Sequence, residues 1–214
     1  KRKGRDTVRN YKFIDSNIIN GPERYEIEIE VEPKMIGYGT PYETPEVVVT
    51  ELRRIIKLVL SGIQGTNYPI SMNEQKSTLS SYMTLIHGDK FQEERIYPRH
   101  FIGPSSYTLQ AVNIAPLNEN AEIPNIRNNY TVTDKADGER KLLYISSSGR
   151  LYLIDTNMNI QFTGAITTNQ DTFNSIFDGE HILHNKNGEY INLYAAFDIY
   201  YDGGQDVRSL PFIP

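Results

Sequence analysis

The sequence has 214 residues, 38% of them hydrophobic, and a formal net charge of −5, a composition that fits an ordinary globular protein and excludes a disordered one. It contains neither an apolar run of about 18 residues nor a signal-like start, so we expect no membrane partner, no secretion and a cytoplasmic location. Because cysteine is absent, disulfides, thiolate metal sites and cysteine nucleophiles are excluded.

The first twelve residues are strongly basic, whereas the C-terminal half of the chain is acidic. The basic segment holds six cations against one aspartate: Lys1, Arg2, Lys3, Arg5, Arg9 and Lys12 against Asp6. Its simplest interpretation is a solvated basic tail. Residues 101–214 carry 7 basic and 13 acidic side chains, so this half offers no broad basic surface of the kind that binds nucleic acid tightly.

Residues 24–32 alternate between polar and apolar side chains. In a β-strand this alternation places the two sets on opposite faces. One face would carry Ile27, Ile29 and Val31, and the other would carry Glu26, Glu28, Glu30 and Glu32. Pro33 would end the strand, because proline has no N–H for a sheet ladder. Taken alone, such a strand is typical of a sheet with one solvated face.

Two helices are predicted next. Thr44 is placed to cap the first helix and Pro45 suits its first position; apolar residues then recur on one stripe to about Leu60, with Gly62 as the expected stop. A second helix is predicted over about 73–87, before Gly88. Both helices are expected to serve packing and to carry no chemistry.

From about residue 98 the chain changes to short apolar runs separated by turn residues. Strands are predicted at Tyr130–Thr133, Leu142–Ile145, Leu151–Ile154, Ile176–Asp178 and Tyr190–Tyr201. Hairpin turns are predicted at Ser148-Gly149 and Asn187-Gly188. The expected fold class is therefore α+β, with an antiparallel β-rich C-terminal domain that begins between residues 88 and 100.

The segment Lys135-Ala-Asp-Gly-Glu-Arg140 carries the first candidate chemistry. A lysine amine is a nucleophile only when it is neutral, so it needs burial or a nearby cation to lower its pKa. A glycine at the turn lets a phosphate come close to the backbone. The motif is short, however, and alone it also fits an exposed turn.

Two further blocks follow, Phe177-Asp178-Gly179-Glu180 and Leu193-Tyr194-Ala195-Ala196-Phe197-Asp198-Ile199. In this order and spacing, the three blocks resemble motifs I, III and IIIa of the covalent nucleotidyltransferase superfamily. That superfamily comprises capping guanylyltransferases and the ATP- or NAD-dependent polynucleotide ligases. The resemblance covers about residues 98–214 and implies a ligase-type, ATP-grasp-like nucleotidyltransferase domain.

The resemblance also implies roles for individual residues. Lys135 would form a phosphoramidate with the nucleoside monophosphate, Arg140 and Glu180 would hold the ribose, and Phe197 would stack on the base. Four residues of the same motifs are expected to shape turns, and Asp198 to orient its neighbours or lie near a metal. The four turn residues are Asp137, Gly138, Asp178 and Gly179. Of these, Asp137 and Gly138 are also expected among the nucleotide-binding residues.

Two features favour a capping enzyme over a ligase. Lys-Ala-Asp-Gly-x-Arg is the form common in capping guanylyltransferases, and Asp206–Pro211 is similar to their continuation after motif IIIa. The glutamate segment is also similar to the last glutamate strand of the tunnel-type, metal-dependent RNA triphosphatases. This second resemblance implies that Glu26, Glu28 and Glu30 bind Mg²⁺ or Mn²⁺ beside an RNA 5′ triphosphate.

A triphosphatase followed by a guanylyltransferase resembles the multifunctional capping enzymes of large cytoplasmic DNA viruses, including the poxvirus, asfarvirus and mimivirus groups. The implied organisation is the end of the triphosphatase barrel over 1–42, a helical connector over 43–97 and the start of the guanylyltransferase over 98–214. The implied partners are GTP and 5′-triphosphate or diphosphate RNA ends, in the host cytoplasm or the virion. The chain lacks the first glutamate strand and motifs IV, V and VI, so we expect a segment of a longer polypeptide, and the resemblance implies further domains such as an OB-fold and a methyltransferase.

Two other functions stay open from the sequence. An ATP-dependent polynucleotide ligase would share Lys135 and Glu180 but use a different nucleotide. A non-catalytic module that anchors or stimulates a capping partner would keep the fold without the chemistry. The four histidines lack metal-ligand spacing, and His181 and His184 are expected on opposite faces of a strand.

Overall fold

The structure, a computed structural model, describes residues 26–88, 91, 95–116, 123–128 and 130–211. The basic tail and the start of the glutamate segment, Arg24 and Tyr25, lie outside these residues. The chain divides into two compact units, Lys1–Leu52 and Arg53–Pro214. Among the described residues, no helix is both long enough and apolar enough to cross a membrane.

In the first unit, the strand predicted over 24–32 is wrong for its described part. Residues 26–32 belong to no strand, and a short 3₁₀ turn follows at Pro33–Met35. Alternation produces a strand only when one set of side chains is buried and the backbone finds a ladder partner. Ile27 is 59% exposed, so the apolar set is not shielded from water here.

The two predicted helices are confirmed. Helix α1 spans Pro45–Gln64 and helix α2 spans Met72–His87. Ser71 caps α2 by accepting a hydrogen bond from the Glu74 N–H at 3.1 Å, and Gly88, at φ +66°, ends it. The predicted stop at Gly62 is wrong, since α1 continues two residues beyond it.

The second unit contains a six-stranded antiparallel sheet, which confirms the expected antiparallel β-rich domain, whereas the barrel remnant implied for residues 1–42 stays a prediction. Its strands are β1 (Glu139–Ile145), β2 (Arg150–Asp155), β3 (Ile160–Ile166), β4 (Ser175–His184), β5 (Tyr190–Asp202) and β6 (Gln205–Asp206). They lie in the order β3-β2-β1-β4-β5-β6. Both predicted hairpins, β1–β2 and β4–β5, are formed.

One strand prediction in the second unit is wrong, and one strand was missed. Residues 130–137 form no strand, and Val132 is completely exposed. The segment has the composition of a strand, but no neighbouring strand among the described residues supplies its hydrogen bonds. Strand β3 was not predicted, because Gln161, Thr163 and Gly164 interrupt its apolar residues.

One face of the sheet packs against α2. The fully buried members of this core are Leu142, Tyr144, Ile154 and Ile176 of the sheet and Tyr82 and Met83 of α2. The rings of Tyr82 and Tyr144 meet edge to face with centroids 6.1 Å apart. Since burying each large apolar side chain contributes about 1.5–3 kcal/mol, this set holds α2 firmly on the sheet. The polar residues of the candidate site continue the same face toward one end of β1 and β4.

Candidate active site

Lys135 lies in the irregular segment that leads into β1. Its side chain is exposed, and its Nζ donates a hydrogen bond to the Ala136 carbonyl oxygen at 3.2 Å. In the described part of the chain, no hydrogen bond or ion pair links this amine to Arg140, Glu180 or Phe197. The structure therefore places the predicted nucleophile in contact with solvent, without burial.

Arg140 and Glu180 are cross-strand partners in β1 and β4, so their side chains share one face of the sheet. The Arg140 guanidinium binds Asp178, two residues before Glu180 on the same strand. Its Nε donates to Asp178 Oδ1 at 3.1 Å and its Nη2 donates to Oδ2 at 2.5 Å. Asp178 is completely buried, and these hydrogen bonds raise the pKa of Arg140.

The loop at residues 101–104 lies against the same guanidinium. Arg140 Nη1 donates to the Pro104 carbonyl oxygen at 2.6 Å, and the Phe101 ring centroid lies 5.6 Å from the guanidinium carbon. A Cβ at Gly103 would come within 2.6 Å of Arg140 Nη2. Only glycine leaves room there for Arg140, so this loop is part of the site.

Glu180 has an unsatisfied carboxylate oxygen. Its Oε2 is shielded from solvent and has no hydrogen-bond partner. A buried acceptor without a donor costs about 1–3 kcal/mol, and native proteins keep few of them outside functional sites. The Oε2 atom is therefore placed to accept a hydrogen bond from a ligand.

Phe197 lines a cavity of about 750 Å³. The segment Thr131–Thr133, which precedes Lys135, lines the same cavity. Phe197 is an extra residue in β5: Asp178 pairs with Asp198 and Gly179 with Ala196, so Phe197 forms a bulge between them. Bulges re-aim side chains, and here Phe197 remains 39% exposed as a free aromatic face beside the cavity.

Two motif glycines are required by close packing. A Cβ at Gly138 would lie 2.7 Å from the His181 carbonyl oxygen in β4. A Cβ at Gly179 would lie 2.6 Å from the Ala195 carbonyl oxygen and 2.6 Å from Tyr194 Cζ. The prediction that Asp178 and Gly179 shape a turn is wrong, because both lie within β4.

We expect Gly179→Ala to lower the free energy of unfolding by about 1–3 kcal/mol, as overpacking typically does. The new methyl group would push Tyr194 out of its place over the sheet, where its hydroxyl donates to the Lys141 and Phe177 carbonyl oxygens at 2.8 and 3.0 Å. Urea unfolding of the 214-residue chain measures the change.

The control for this variant is Gly62→Ala, since Gly62 lies inside α1 with nothing within 4 Å of its new Cβ. Alanine is the better helix former by about 1 kcal/mol, so this control should leave stability unchanged or raise it. Equal stability of Gly179→Ala and the original chain would contradict the packing argument.

Lys141, the next lysine along the chain, points to the opposite face of β1 from Arg140. Its side chain is only 12% exposed, and its Nζ lies 3.1 Å from Glu139 Oε2 and 3.4 Å from His181 Nδ1. An ammonium group only donates, so Nδ1 accepts, and His181 Nε2–H then donates to Asn192 Oδ1 at 2.8 Å. Lys141 is thus held by partners away from Arg140 and Glu180.

No metal centre is formed by the described residues, which contain no group of three or more His, Asp or Glu side chains placed to hold an ion. Glu26, Glu28 and Glu30 are all exposed, and their assignment as metal ligands stays a prediction. Asp198 Oδ1 accepts a hydrogen bond from the Ile199 N–H at 2.8 Å, and its orienting or metal-side role stays a prediction. Asp137 is exposed.

Sequence reasoning missed three contributors to the site, which are Tyr200, Gly103 and Pro104. Tyr200 donates its hydroxyl to Asp178 Oδ2 at 2.5 Å. Alternation places Tyr200 on the same face as Asp198, but the pairing of Asp198 with Asp178 depends on the bulge at Phe197, which the sequence does not show. Gly103 and Pro104 have the composition of an ordinary loop, and no local signal ties them to Arg140, which lies 36 residues beyond Pro104.

Comparison with known proteins agrees with this geometry. A family model described as "mRNA capping enzyme, catalytic domain" matches residues 95–213. The chain is also 27% identical over 187 residues to a protein of Acanthamoeba polyphaga mimivirus described as "Probable mRNA-capping enzyme". That match covers 87% of this chain but 13% of the mimivirus protein, so the chain spans a small part of the length of this relative.

Proposed function

Because the chain belongs to the mRNA capping enzyme family through its catalytic-domain match, we propose that it carries the nucleotide-binding part of an mRNA guanylyltransferase. The proposed reaction transfers GMP from GTP to a 5′-diphosphate RNA end. It passes through a covalent lysyl-GMP intermediate on Lys135. The three motif blocks and the matched residues 95–213 coincide, which supports this assignment over a fold likeness alone.

The observation that carries the proposal is the unsatisfied Glu180 Oε2 beside Arg140. A ribose presents hydroxyl groups that both donate and accept. Glu180 Oε2 needs a donor, and Arg140 uses three of its five N–H groups on Asp178 and Pro104, so it keeps two donors for a ligand. A ribose hydroxyl pair satisfies both needs at once.

The base is assigned to the cavity beside Phe197. A guanine ring has a flat π-face that stacks on an aromatic side chain, and such stacking contributes about 1–3 kcal/mol per base. The cavity is also lined by the segment that leads to Lys135. A nucleotide with its base against Phe197 and its ribose at Glu180 would therefore lie along the path to the proposed nucleophile.

The chemistry on this chain then rests on Lys135. Its amine must first lose a proton to solvent. The neutral nitrogen attacks the α-phosphorus of GTP, an N–P bond forms, the bond to the pyrophosphate oxygen breaks, and the nitrogen gives a second proton to solvent. In the second step a terminal oxygen of the 5′-diphosphate RNA attacks the same phosphorus, the N–P bond breaks, and the nitrogen takes a proton from solvent as the lysine leaves as the amine. Lys141 is excluded from this role by its partners on the opposite face.

We derive no step through a divalent ion, because the described residues hold no group suited to bind one. A requirement for Mg²⁺ or Mn²⁺ stays a prediction, and such an ion commonly binds through substrate phosphates with few protein ligands. The RNA triphosphatase assignment of residues 1–42 also stays a prediction, as it rests on resemblance alone.

The test is the choice of nucleotide. We expect the whole protein, incubated with α-labelled GTP or α-labelled ATP, to become covalently labelled by GTP at least tenfold more strongly than by ATP. Labelling by ATP alone would overturn the proposal in favour of a polynucleotide ligase. No label from either nucleotide would favour the non-catalytic capping module.

A further inference from the structure

The Arg140 guanidinium is held by side chains and backbone from three separate segments. Asp178 in β4 binds its Nε and Nη2, and the Pro104 carbonyl oxygen binds its Nη1. Tyr200 of β5 lies behind Asp178 and also interacts with the Arg140 guanidinium, but it is not among the residues that line the cavity beside Phe197. Its hydroxyl donates a hydrogen bond to Asp178 Oδ2.

We propose that Tyr200 is a positioning residue that fixes the Arg140 guanidinium in the orientation that binds the ribose, by donating its hydroxyl to Asp178. This inference rests on the proposed function, since the ribose contact belongs to it.

The hydrogen bonds identify Asp178 Oδ2 as the pivot of this arrangement. That oxygen accepts from both Arg140 Nη2 and the Tyr200 hydroxyl, each at 2.5 Å, whereas Oδ1 accepts from Arg140 Nε at 3.1 Å. Asp178 is completely buried and Tyr200 is 4% exposed. Because this region is buried, no water would replace the Tyr200 hydroxyl if it were removed. Oδ2 would then be held by Arg140 alone, and the carboxylate and the Arg140 guanidinium could rotate together.

Tyr200 is well suited to remain a donor. Burial, with the neighbouring Asp178 carboxylate, raises the pKa of its hydroxyl well above its usual value, so the proton stays on the phenol across the range in which the protein is folded. A charge-assisted O–H···O⁻ bond of this kind is among the strong hydrogen bonds of proteins. It therefore fixes the carboxylate more firmly than a neutral donor would.

The strand itself is built to deliver this hydroxyl. Phe177 pairs with Ile199 and Ile176 pairs with Tyr201, so Tyr200 is an extra residue with no partner in β4. Asp198 pairs with Asp178, and Tyr200, two residues beyond Asp198, lies on the same face of the sheet as Asp178. The adjacent Tyr201 is equally buried but approaches Asp206 instead, at 3.5 Å.

Tyr201 therefore supplies a matched control. Tyr200→Phe and Tyr201→Phe each remove one buried hydroxyl from neighbouring positions of one strand, and only the first touches Asp178. Nucleotide binding is measured as a Kd in whole protein carrying Lys135→Ala, so that covalent chemistry does not enter. We expect Tyr200→Phe to weaken GTP binding about tenfold, the effect of losing one hydrogen bond to a charged group. Tyr201→Phe should change it by less than about twofold.

Ribose-modified nucleotides separate positioning from a general structural effect. We expect the penalty of Tyr200→Phe to disappear with either 2′-deoxy-GTP or 3′-deoxy-GTP, whichever lacks the hydroxyl that Arg140 contacts. A penalty of equal size for GTP and both deoxy analogues would show a structural role only and would overturn the inference. An unchanged GTP affinity in Tyr200→Phe would overturn it as well.

A readout without nucleotide keeps the inference separate from the proposed function. In ¹⁵N NMR spectra the Arg140 Nε–H signal should exchange slowly with solvent in the original protein and at least tenfold faster in Tyr200→Phe, with Tyr201→Phe unchanged. If the protein binds no GTP, the guanylyltransferase proposal fails while this signal still decides whether Tyr200 orders Arg140.

If Tyr200→Phe does not fold, Asp178→Asn provides the second variant. It retains the side-chain volume but removes the charge, and it should speed the same exchange; an unchanged Arg140 signal there would contradict the inference.

Discussion

Replacing Lys135 by alanine is expected to remove all covalent nucleotide label from the whole protein. Lys135 is the exposed lysine at the head of the motif that leads into Arg140, and an alanine methyl cannot form an N–P bond. The label on the original protein should survive base and be lost in acid, as a phosphoramidate is. Gel detection after incubation with α-labelled GTP measures the loss.

Lys141→Ala is the control for this experiment. Lys141 binds Glu139 and His181 on the other face of β1, so its replacement should leave most of the label in place. Normal labelling of Lys135→Ala would show that another residue is the attachment site. Loss of label in both variants would point to a general disturbance of β1 and not to the loss of one nucleophile.

The second large effect is expected at Asp178. Asp178→Ala would leave the Arg140 guanidinium partly buried without its anion and the Tyr200 hydroxyl without an acceptor. Breaking a buried ion pair by removing one partner costs about 3–5 kcal/mol, and we expect that loss in the free energy of unfolding. Urea unfolding of the 214-residue chain measures it, with Arg140 and Tyr200 unchanged.

Asp206→Ala is the matched comparison for Asp178→Ala. Asp206 binds Arg208 through the same two guanidinium atoms, Nε at 2.9 Å and Nη2 at 2.5 Å, but the two side chains are 45% and 40% exposed. Exposed pairs of this kind contribute about 0–1 kcal/mol. Equal losses for the two variants would contradict the conclusion that burial makes the Arg140–Asp178 pair important.

Local signals predicted the elements whose stability is local. Both helices were predicted because their apolar stripes and flanking cap residues lie within a few turns of each other. The two hairpins were predicted because Gly149 and Gly188 mark tight turns between apolar runs. Gly62 misled the prediction of the helix end, since a glycine inside a helix costs only about 1 kcal/mol and the preceding turns outweigh it.

The failed predictions depended on partners that lie far away in the sequence. The glutamate segment and the stretch before Lys135 both have the pattern of a strand, yet a pattern cannot supply the neighbouring strand that pairs with it. Strand β3 was missed for a different reason: it pairs with the preceding strand β2 across a short turn, and its polar residues hid the strand pattern. Pairing over long sequence distances is a tertiary property, and a single sequence does not record it.

The candidate site was predicted from its motifs for Arg140, Glu180 and Phe197, and the structure places Arg140 and Glu180 on paired positions of adjacent strands. The part that failed is the role of Asp178, which was expected at a turn and is a buried anion. Tyr200 was missed for a related reason. Its contact with Asp178 depends on the register of β5 against β4, which the bulge at Phe197 shifts without leaving a mark in the composition.

The bulges of β5 also affect which changes in the gene the protein can tolerate. Around Phe197 and Tyr200, β5 uses two more residues than β4 to cover the same length of ladder. Deleting one of these two residues would remove a bulge together with the side chain that it carries to the site. Strand length is therefore constrained together with side-chain identity. Substitutions in this strand should be accepted far more readily than insertions or deletions of a single codon.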